Sequence, residues 1–263
     1  RNEYRVKRES YISNGFVVFQ RENDGWKTKP RGSNPQLSEQ TLILPLLSND
    51  ETVSAIYSFI RNTSFYAIYP NTLREPQKPT NPYPLDEHGN NLASVLRDVS
   101  AQDDWAKEVK SSLGKVIDGV EDFKVNQVGG FFVTQLRHSD GSWLDLFQES
   151  DGTLRVLGLL VALYQNPPRS LVALEEPELT IHPGALRVLC DVIRETSHRS
   201  QVLITTHSPD LIARFAVDEI RVVERTEDGT EIGRVDDVQR QVIEEQLFSA
   251  SDLLRIEGLR RAQ

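Results

Sequence analysis

Two short runs of apolar residues, each followed by acidic or polar residues, restrict the fold of this chain more than any other feature. Leu171–Leu174 is wholly apolar and leads directly into Glu175 and Glu176. Val202–Thr205 comes about thirty residues later and leads into Thr206-His207. Such runs are typical of strands that are covered on both faces. One helix-length segment separates them, so the sequence predicts a strand–helix–strand unit with neighbouring parallel strands.

The predicted unit brings three ionisable side chains to one edge of a sheet. Parallel strands end at the same edge, which is where α/β folds place their ligands. Glu175 and Glu176 leave the first strand at that edge, and His207 leaves the second. Two carboxylates and an imidazole there suit a nucleotide-bound magnesium ion and an attacking water. A zinc site is disfavoured, because no Cys joins the group and no His-x-x-x-His spacing occurs.

The rest of the chain predicts further elements before and after this core. Residues 70–89 contain five prolines and predict an extended loop, whereas residues 92–117 predict two helices. Val120–Val128 and Phe131–His138 flank a Gly-Gly pair, which is a strong hairpin signal. We therefore predict an α/β fold in three parts: an α+β lobe with antiparallel hairpins at 1–144, a parallel core at 145–225 and a C-terminal tail at 226–263.

Composition restricts the class of protein. At 263 residues the chain can hold one or two domains, and no apolar run approaches a membrane span. The single Cys190 excludes an intrachain disulfide framework and indicates a reducing cytoplasm, with buried packing as its expected role. A formal charge of −9 disfavours nucleic-acid binding over the whole surface. Arg255, Arg260 and Arg261 are either a local basic patch or a solvated helix face.

Four motifs in this order and spacing resemble those of ABC-type ATPases. Leu171–Glu176 resembles the Walker B strand, and Glu178–Pro183 resembles the D-loop region that follows it. Thr205–Pro209 resembles the switch-histidine loop. Glu149–Arg155 lies about twenty residues before the Walker B strand, where the signature motif belongs.

The residues of these motifs most resemble those of the RecF/SMC-like branch, in particular its small AAA/ABC ATPases and the overcoming-lysogenization-defect-like proteins. The resemblance is strongest over residues 145–225 and extends more weakly to 71–76 and 90–98. It implies an ATPase that uses ATP and Mg²⁺.

The resemblance also implies roles for the three residues at the sheet edge. Glu175 matches the carboxylate that holds Mg²⁺ through water, and Glu176 matches the one that polarises the attacking water. His207 matches the contact to the γ-phosphate. In the family the first carboxylate is more often Asp. Glu175 is one methylene longer, so its metal geometry stays open.

The signature segment implies a second copy of the chain as partner. In the family, the positions of Ser150, Asp151, Gly152 and Thr153 reach across an ATP-sandwiched homodimer to the γ-phosphate held by the other protomer. Ser150 is also placed as a helix N-cap, and a helix N-terminus attracts anions. A cap alone is the alternative role. Asp151 stands where many relatives have Gly, so its carboxylate must point away from that phosphate or weaken the contact.

No Gly-x-x-x-x-Gly-Lys-Ser/Thr phosphate-binding loop occurs in the sequence. The only Gly-Lys pair, Gly114-Lys115, lacks a Gly five residues earlier and is followed by Val. In the family this Walker A loop lies near the N-terminus. We therefore expect the chain to be the C-terminal portion of a longer ATPase, with the missing N-terminal half as a partner.

Three functions can be weighed on these grounds. The first is an ATP-hydrolysing, ATP-dependent dimerising domain, in which the chain alone would be inactive. The second is a non-hydrolysing binding or dimerisation module, which the absent loop favours. The third, a metal-dependent nuclease, is disfavoured, because only about forty residues follow the last core strand.

Overall fold

A computed structural model describes residues 5–32, 35–227 and 229–262. The chain divides into two compact units, residues 1–63 and residues 64–263. The three-part division at residues 145 and 226 rests on motifs and stays a prediction. Within the described ranges, no helix combines the length and the apolar character that crossing a bilayer requires.

The first unit is a small antiparallel sheet followed by a helix. Its strands are β1 (Arg8–Ser13), β2 (Phe16–Glu22) and β3 (Gly25–Thr28), paired in the order β1-β2-β3, and its helix is α1 (Ser54–Arg61). Phe19, Ile43, Leu47 and Val53 form its core. This unit carries none of the predicted site residues.

The second unit contains the remaining elements. Its described helices are α2 (Pro70–Arg74), α3 (Leu92–Ser100), α4 (Asp103–Val116), α5 (Asp151–Leu163), α6 (Pro183–Ser197), α7 (Pro209–Ile212), α8 (Asp237–Glu244) and α9 (Ala250–Ile256). The strands, including one that begins at the boundary, are β4 (Thr63–Tyr66), β5 (Val120–Val128), β6 (Phe131–His138), β7 (Trp143–Asp145), β8 (Leu171–Glu175), β9 (Gln201–Thr205), β10 (Val222–Thr226) and β11 (Gly229–Gly233).

These strands form one sheet with parallel pairing and two antiparallel ones. The first has the order β4-β8-β9, and β8 runs parallel to β9 from Leu171↔Gln201 to Glu175↔Thr205. Strands β5, β6 and β7 form an antiparallel meander, and β10 and β11 form a hairpin. Helix α6 joins β8 to β9, which is the predicted strand–helix–strand unit. The α/β fold class is confirmed.

Helix α5 lies at the centre of the main core. It is apolar on nearly every side, and every residue from Leu154 to Leu163 is buried. A Cβ on Gly158 would lie 2.6 Å from Cγ2 of Ile68, so this glycine lets α5 approach the segment that follows β4. Helix α5 therefore provides a fixed frame for the residues at its N-terminus.

Three stretches differ from the sequence-based prediction. Residues 70–74 lie in the predicted extended loop but form α2, because a Pro at the first helical position is compatible with a helix. β7 adds a third strand beside the predicted hairpin. The tail, predicted to be helical, contains α8 and α9 but also the strand β11, and Val235 and Ala250 pack in a small core with Ile220 and Val222.

Candidate functional site

The carboxyl ends of β8 and β9 bring the three predicted sheet-edge residues together. Glu175 is the last residue of β8 and pairs with Thr205. The N–H of Glu176 donates to the Thr205 carbonyl over 2.9 Å, so the pairing continues one residue beyond the strand. Glu175 and His207 are exposed, and Glu176 is half-buried. The backbone therefore delivers Glu175, Glu176 and His207 to one solvent-accessible edge.

The loop after β8 contains two residues with left-handed backbone. Glu176 has φ = 40° and Thr180 has φ = 63°, although neither is glycine. For a β-branched Thr this conformation is a true outlier. Each such residue costs about 1–3 kcal/mol and persists only where the surrounding contacts hold it, which is frequent at functional sites. The loop is thus held in a shape that its own residues do not favour.

Glu178 and Thr206 connect the loops that follow the two strands. The Thr206 hydroxyl donates to Oε1 of Glu178, and the Ser208 N–H donates to the Thr206 hydroxyl over 2.9 Å. His207 lies between these two linked residues. Glu178 is therefore a structural tie between the two loops, and its contacts fix the backbone on both sides of His207.

Oxygen donors at this edge fit a hydrated Mg²⁺ better than a metal bound directly by side chains. The carboxylates of Glu175 and Glu176 make no side-chain hydrogen bond within the described ranges, so their oxygens can accept from metal-bound water. In the same part of the chain, no group of three or more His, Cys, Asp or Glu residues could hold a metal ion by itself. Mg²⁺ in nucleotide sites commonly keeps several waters, which suits this arrangement.

The segment Ser150–Thr153, termed the signature turn, begins α5 and is capped as predicted. The Ser150 hydroxyl accepts from the Thr153 N–H over 3.1 Å. A Cβ on Gly152 would lie 2.6 Å from the carbonyl oxygen of Thr180, so only glycine permits this approach. The signature turn therefore packs directly on the loop that follows β8. It also lines a cavity of about 520 Å³ together with Lys115 and His182.

The carboxylate of Asp151 is occupied by an arginine. Arg74 Nη2 lies 2.5 Å from Asp151 Oδ1, and the same guanidinium donates to the Glu149 carbonyl over 3.1 Å. On the other side of the turn, His138 Nε2 lies 2.7 Å from Oε1 of the buried Glu149. The negative charge that departs from the family pattern is thereby balanced by α2.

His182, the Gly114-Lys115 pair and Cys190 lie in or next to helices. His182 is the N-cap of α6, where its Nδ1 accepts from the Gly184 N–H over 3.1 Å. Gly114 and Lys115 lie in the last turn of α4, so this pair is helical and does not form a loop between a strand and a helix. Cys190 is buried, as expected.

Sequence reasoning missed the role of Arg155. This buried side chain donates to the carbonyls of Ile68 over 3.0 Å and Glu176 over 2.9 Å. Burial lowers the pKa of the Arg155 guanidinium, and the negative charges of Glu178 and Glu176 oppose that shift. The sequence signal that could have revealed this role is that Arg155 is the only cationic residue in a helix that is otherwise apolar on nearly every side. The two Nη groups of Arg155 find backbone acceptors, which offsets part of the cost of its burial, whereas its buried Nε has no hydrogen-bond partner in the described part of the chain.

Comparison with known sequences assigns the chain to a family. Residues 30–213 match the family described as "AAA domain, putative AbiEii toxin, Type IV TA system". The chain belongs to this AAA-domain family. The match spans more than half of the chain and includes the signature turn, both strand ends and His207. The ATPase class that the motifs indicated is thereby confirmed, and the chain is an ATPase-type module.

Solved structures with partial similarity are SMC ATPase heads. A chain from a study of ATP-driven dimerisation and DNA-stimulated activation of SMC ATPases is 12% identical, with a TM-score of 0.45, covering 57% of this chain and 94% of that one. A Pyrococcus yayanosii Smc head with a coiled coil and joint is 14% identical (TM-score 0.43; coverage 56% and 30%). The Thermotoga maritima SMC head domain is 15% identical (TM-score 0.40; coverage 55% and 52%). This chain thus spans about a third to a half of the latter two. No curated protein matches it.

Proposed function

We propose that this chain is part of an ATP-hydrolysing domain that dimerises when ATP is bound. The observation that carries the proposal is the meeting of Glu175, Glu176 and His207 at the carboxyl edge of two parallel strands. Membership of an AAA-domain family supports it independently. The buried thiol of Cys190 is compatible with a reducing cytoplasm.

Each of the three residues has one role in the proposed reaction. Glu176 accepts the proton of the attacking water, whose oxygen bonds to the γ-phosphorus while the bond to the bridging oxygen breaks, giving ADP and phosphate. Glu175 would hold hydrated Mg²⁺ by accepting hydrogen bonds from metal-bound water. His207 contacts the γ-phosphate from the end of β9. Bound Mg²⁺ supplies positive charge that neutralises the phosphates.

The signature turn supports the proposal of an ATP-sandwiched homodimer. Its helix N-terminus presents backbone N–H groups and the positive end of a dipole, both of which favour a phosphate. Asp151 alone would oppose such a contact, but its carboxylate is paired with Arg74. We assign Ser150, Asp151, Gly152 and Thr153 to the γ-phosphate bound by the partner copy.

The proposed nucleotide site needs a phosphate-binding loop, which we propose is supplied by a segment other than the residues of this sequence. Strand β9 has a neighbour on one side only among the described strands, so its other edge can pair with a further strand. Leu203 in this strand is 51% exposed, which is high for an apolar residue in a parallel sheet. An additional strand carrying the phosphate-binding loop would satisfy this edge and cover part of the exposed face.

A non-hydrolysing dimerisation module is the second candidate. The observation that favours it is the lack of a phosphate-binding loop in the sequence, where the only Gly-Lys pair is helical. The two candidates share the dimer and differ in chemistry. Only the first requires Glu176 to act as a base.

The decisive experiment substitutes Glu176 in the complete protein. Glu176→Gln keeps the size of the side chain and removes its basicity, so ATP turnover should fall by at least about a hundredfold while ATP affinity stays nearly unchanged. ATP would then persist between the protomers, and the dimer should accumulate in light scattering. Glu175→Gln should instead weaken the Mg²⁺ dependence of ATP binding.

Glu51→Gln is the matched control, because Glu51 is an exposed glutamate of the first unit, remote in sequence from the motifs. It should leave turnover unchanged. Turnover by Glu176→Gln at the parent rate would exclude Glu176 as the base. An ATP-dependent dimer that never hydrolyses ATP, even with all residues intact, would favour the second candidate.

A further inference from the structure

Arg155 is buried in an unusual way. It is 7% exposed, yet every hydrogen bond of its guanidinium within the described ranges goes to a backbone carbonyl. The acceptors are Ile68 at 3.0 Å, Glu176 at 2.9 Å and Glu175 at 3.4 Å. A planar guanidinium can hold several acceptors in a fixed geometry, which an ammonium cannot. The side chain therefore fixes backbone orientation at the end of β8.

Two of the three held carbonyls belong to Glu175 and Glu176, the two glutamates of the proposed site. The Glu176 carbonyl also accepts from the Leu179 N–H over 3.2 Å, and the Glu176 N–H donates to Thr205 over 2.9 Å. These three bonds enclose a residue whose φ of 40° is unfavourable for a glutamate. Since χ angles follow backbone geometry, the contacts that hold this peptide also set the direction of the Glu176 side chain.

Arg155 also lies close to the signature turn on the same helix. It follows Thr153 by two residues in α5, whose N-terminal turn touches the Thr180 carbonyl through Gly152. Helix α5 thus contacts the loop after β8 at both Glu176 and Thr180. A displacement of the helix N-terminus would have to move this loop as well, because packed elements shift together.

We propose that Arg155 is a positioning residue for Glu176 that couples the signature turn to the catalytic carboxylate. The inference rests on the proposed function. In the dimer, the signature turn meets the ATP of the partner copy, whereas Glu176 serves the ATP of its own protomer. ATP bound at one site therefore acts through Arg155 on the position of the Glu176 carboxylate at the other site. ATP turnover is therefore cooperative, and the cooperativity depends on this side chain.

The first test measures backbone amide exchange in the 263-residue chain without nucleotide. Arg155→Gln should speed exchange of the Leu179 N–H, which shares its acceptor with Arg155, by about tenfold or more. Amides in the middle of α6 should keep their parent rates. Arg169→Gln is the matched control: Arg169 is 6% exposed and donates to Ser64 and Tyr83.

Parent-like exchange at Leu179 in Arg155→Gln would overturn the proposal, as would an equal increase at Leu179 and throughout α6. If Arg155→Gln does not fold, Arg155→Lys replaces it. The Lys ammonium keeps the positive charge but cannot hold several carbonyl acceptors in a fixed planar geometry. Faster exchange at Leu179 is again expected, and an unchanged rate would again overturn the proposal.

The second test measures ATP turnover in the complete protein. Arg155→Gln should lower kcat by about tenfold to a hundredfold, a typical effect of residues that position catalytic groups, with KM little changed. The Hill coefficient for ATP should fall towards one, whereas Arg169→Gln should keep the parent coefficient. A parent-like coefficient in Arg155→Gln would refute the coupling. If the parent protein hydrolyses no ATP, the proposed function fails, and amide exchange alone decides whether Arg155 positions the Glu176 loop.

Discussion

The guanidinium of Arg74 and the carboxylate of Asp151 form an ion pair, with Nη2 2.5 Å from Oδ1. Asp151 occupies the position at which the ABC-type signature motif that this segment resembles more often has glycine. The pair explains how the departure is tolerated, since α2 supplies a positive charge at the N-terminus of α5. Another hydrogen bond of Arg74, to the Glu149 carbonyl, ties the preceding turn to the same side chain.

A double-mutant cycle with Arg74→Gln and Asp151→Asn should give a coupling energy of about 0.2–1 kcal/mol in urea unfolding. The value is small because Asp151 is 53% exposed and solvent screens the pair. Arg74→Gln alone should destabilise the protein more than Asp151→Asn, since it also removes the bonds to the Glu149 carbonyl and to Oδ1 of Asn71. Equal effects of the two single substitutions would contradict the role of these further bonds.

Gly158→Ala should lower the free energy of unfolding by about 1–3 kcal/mol, because its Cβ would lie 2.6 Å from the buried Ile68 side chain. The higher helix propensity of Ala offsets only about 1 kcal/mol. Gly130→Ala is the control, since a Cβ at this hairpin position meets no described atom within 4 Å. Chemical denaturation of both variants measures the difference, and a stabilised Gly158→Ala would show that α5 packs less closely than described.

Cys190 should resist alkylation in the native protein. Burial raises the pKa of its thiol, so the reactive thiolate is disfavoured. The folded state then binds the proton more tightly than the unfolded state. The corresponding contribution to stability is present below the ordinary Cys pKa of about 8.5 and is lost as the pH rises above it.

Two measurements follow for Cys190. Its alkylation rate at pH 8 should match the rate of global or sub-global unfolding, and Cys190→Ala should remove this thiol's part of the stability loss above pH 8.5. Rapid alkylation of fully folded protein would show that the thiol is accessible.

The 263-residue chain alone should bind Mg-ATP poorly. In related nucleotide sites, backbone amides and a Lys provide most of the binding of the phosphates. Calorimetric titration of the chain with Mg-ATP measures this directly. Micromolar affinity in the chain alone would place the phosphates on residues of this sequence.

The elements around the site were predictable where local signals agreed. Wholly apolar runs predicted β8 and β9, the Gly-Gly pair predicted the hairpin of β5 and β6, and Ser150 predicted the start of α5. Helix α2 was missed because five prolines in residues 70–89 suggested a loop, whereas Pro70 opens a helix.

The contacts that organise the site were beyond local reasoning. Arg74 and Asp151 are 77 residues apart, and Arg155 and Ile68 are 87 residues apart. Such pairs depend on how the elements pack, which no short motif specifies. The left-handed backbone at Glu176 is equally tertiary in origin, because the isolated dipeptide favours another conformation.

That backbone makes residue 176 a position where folding and chemistry favour different amino acids. Glycine and asparagine suit a φ of 40° far better than glutamate, so a library randomised at residue 176 and selected only for folded protein should be enriched in them. Selection for ATP turnover in the same library should recover glutamate at lower stability. The difference in free energy of unfolding between the variants that the two selections recover would measure how much stability glutamate at residue 176 costs.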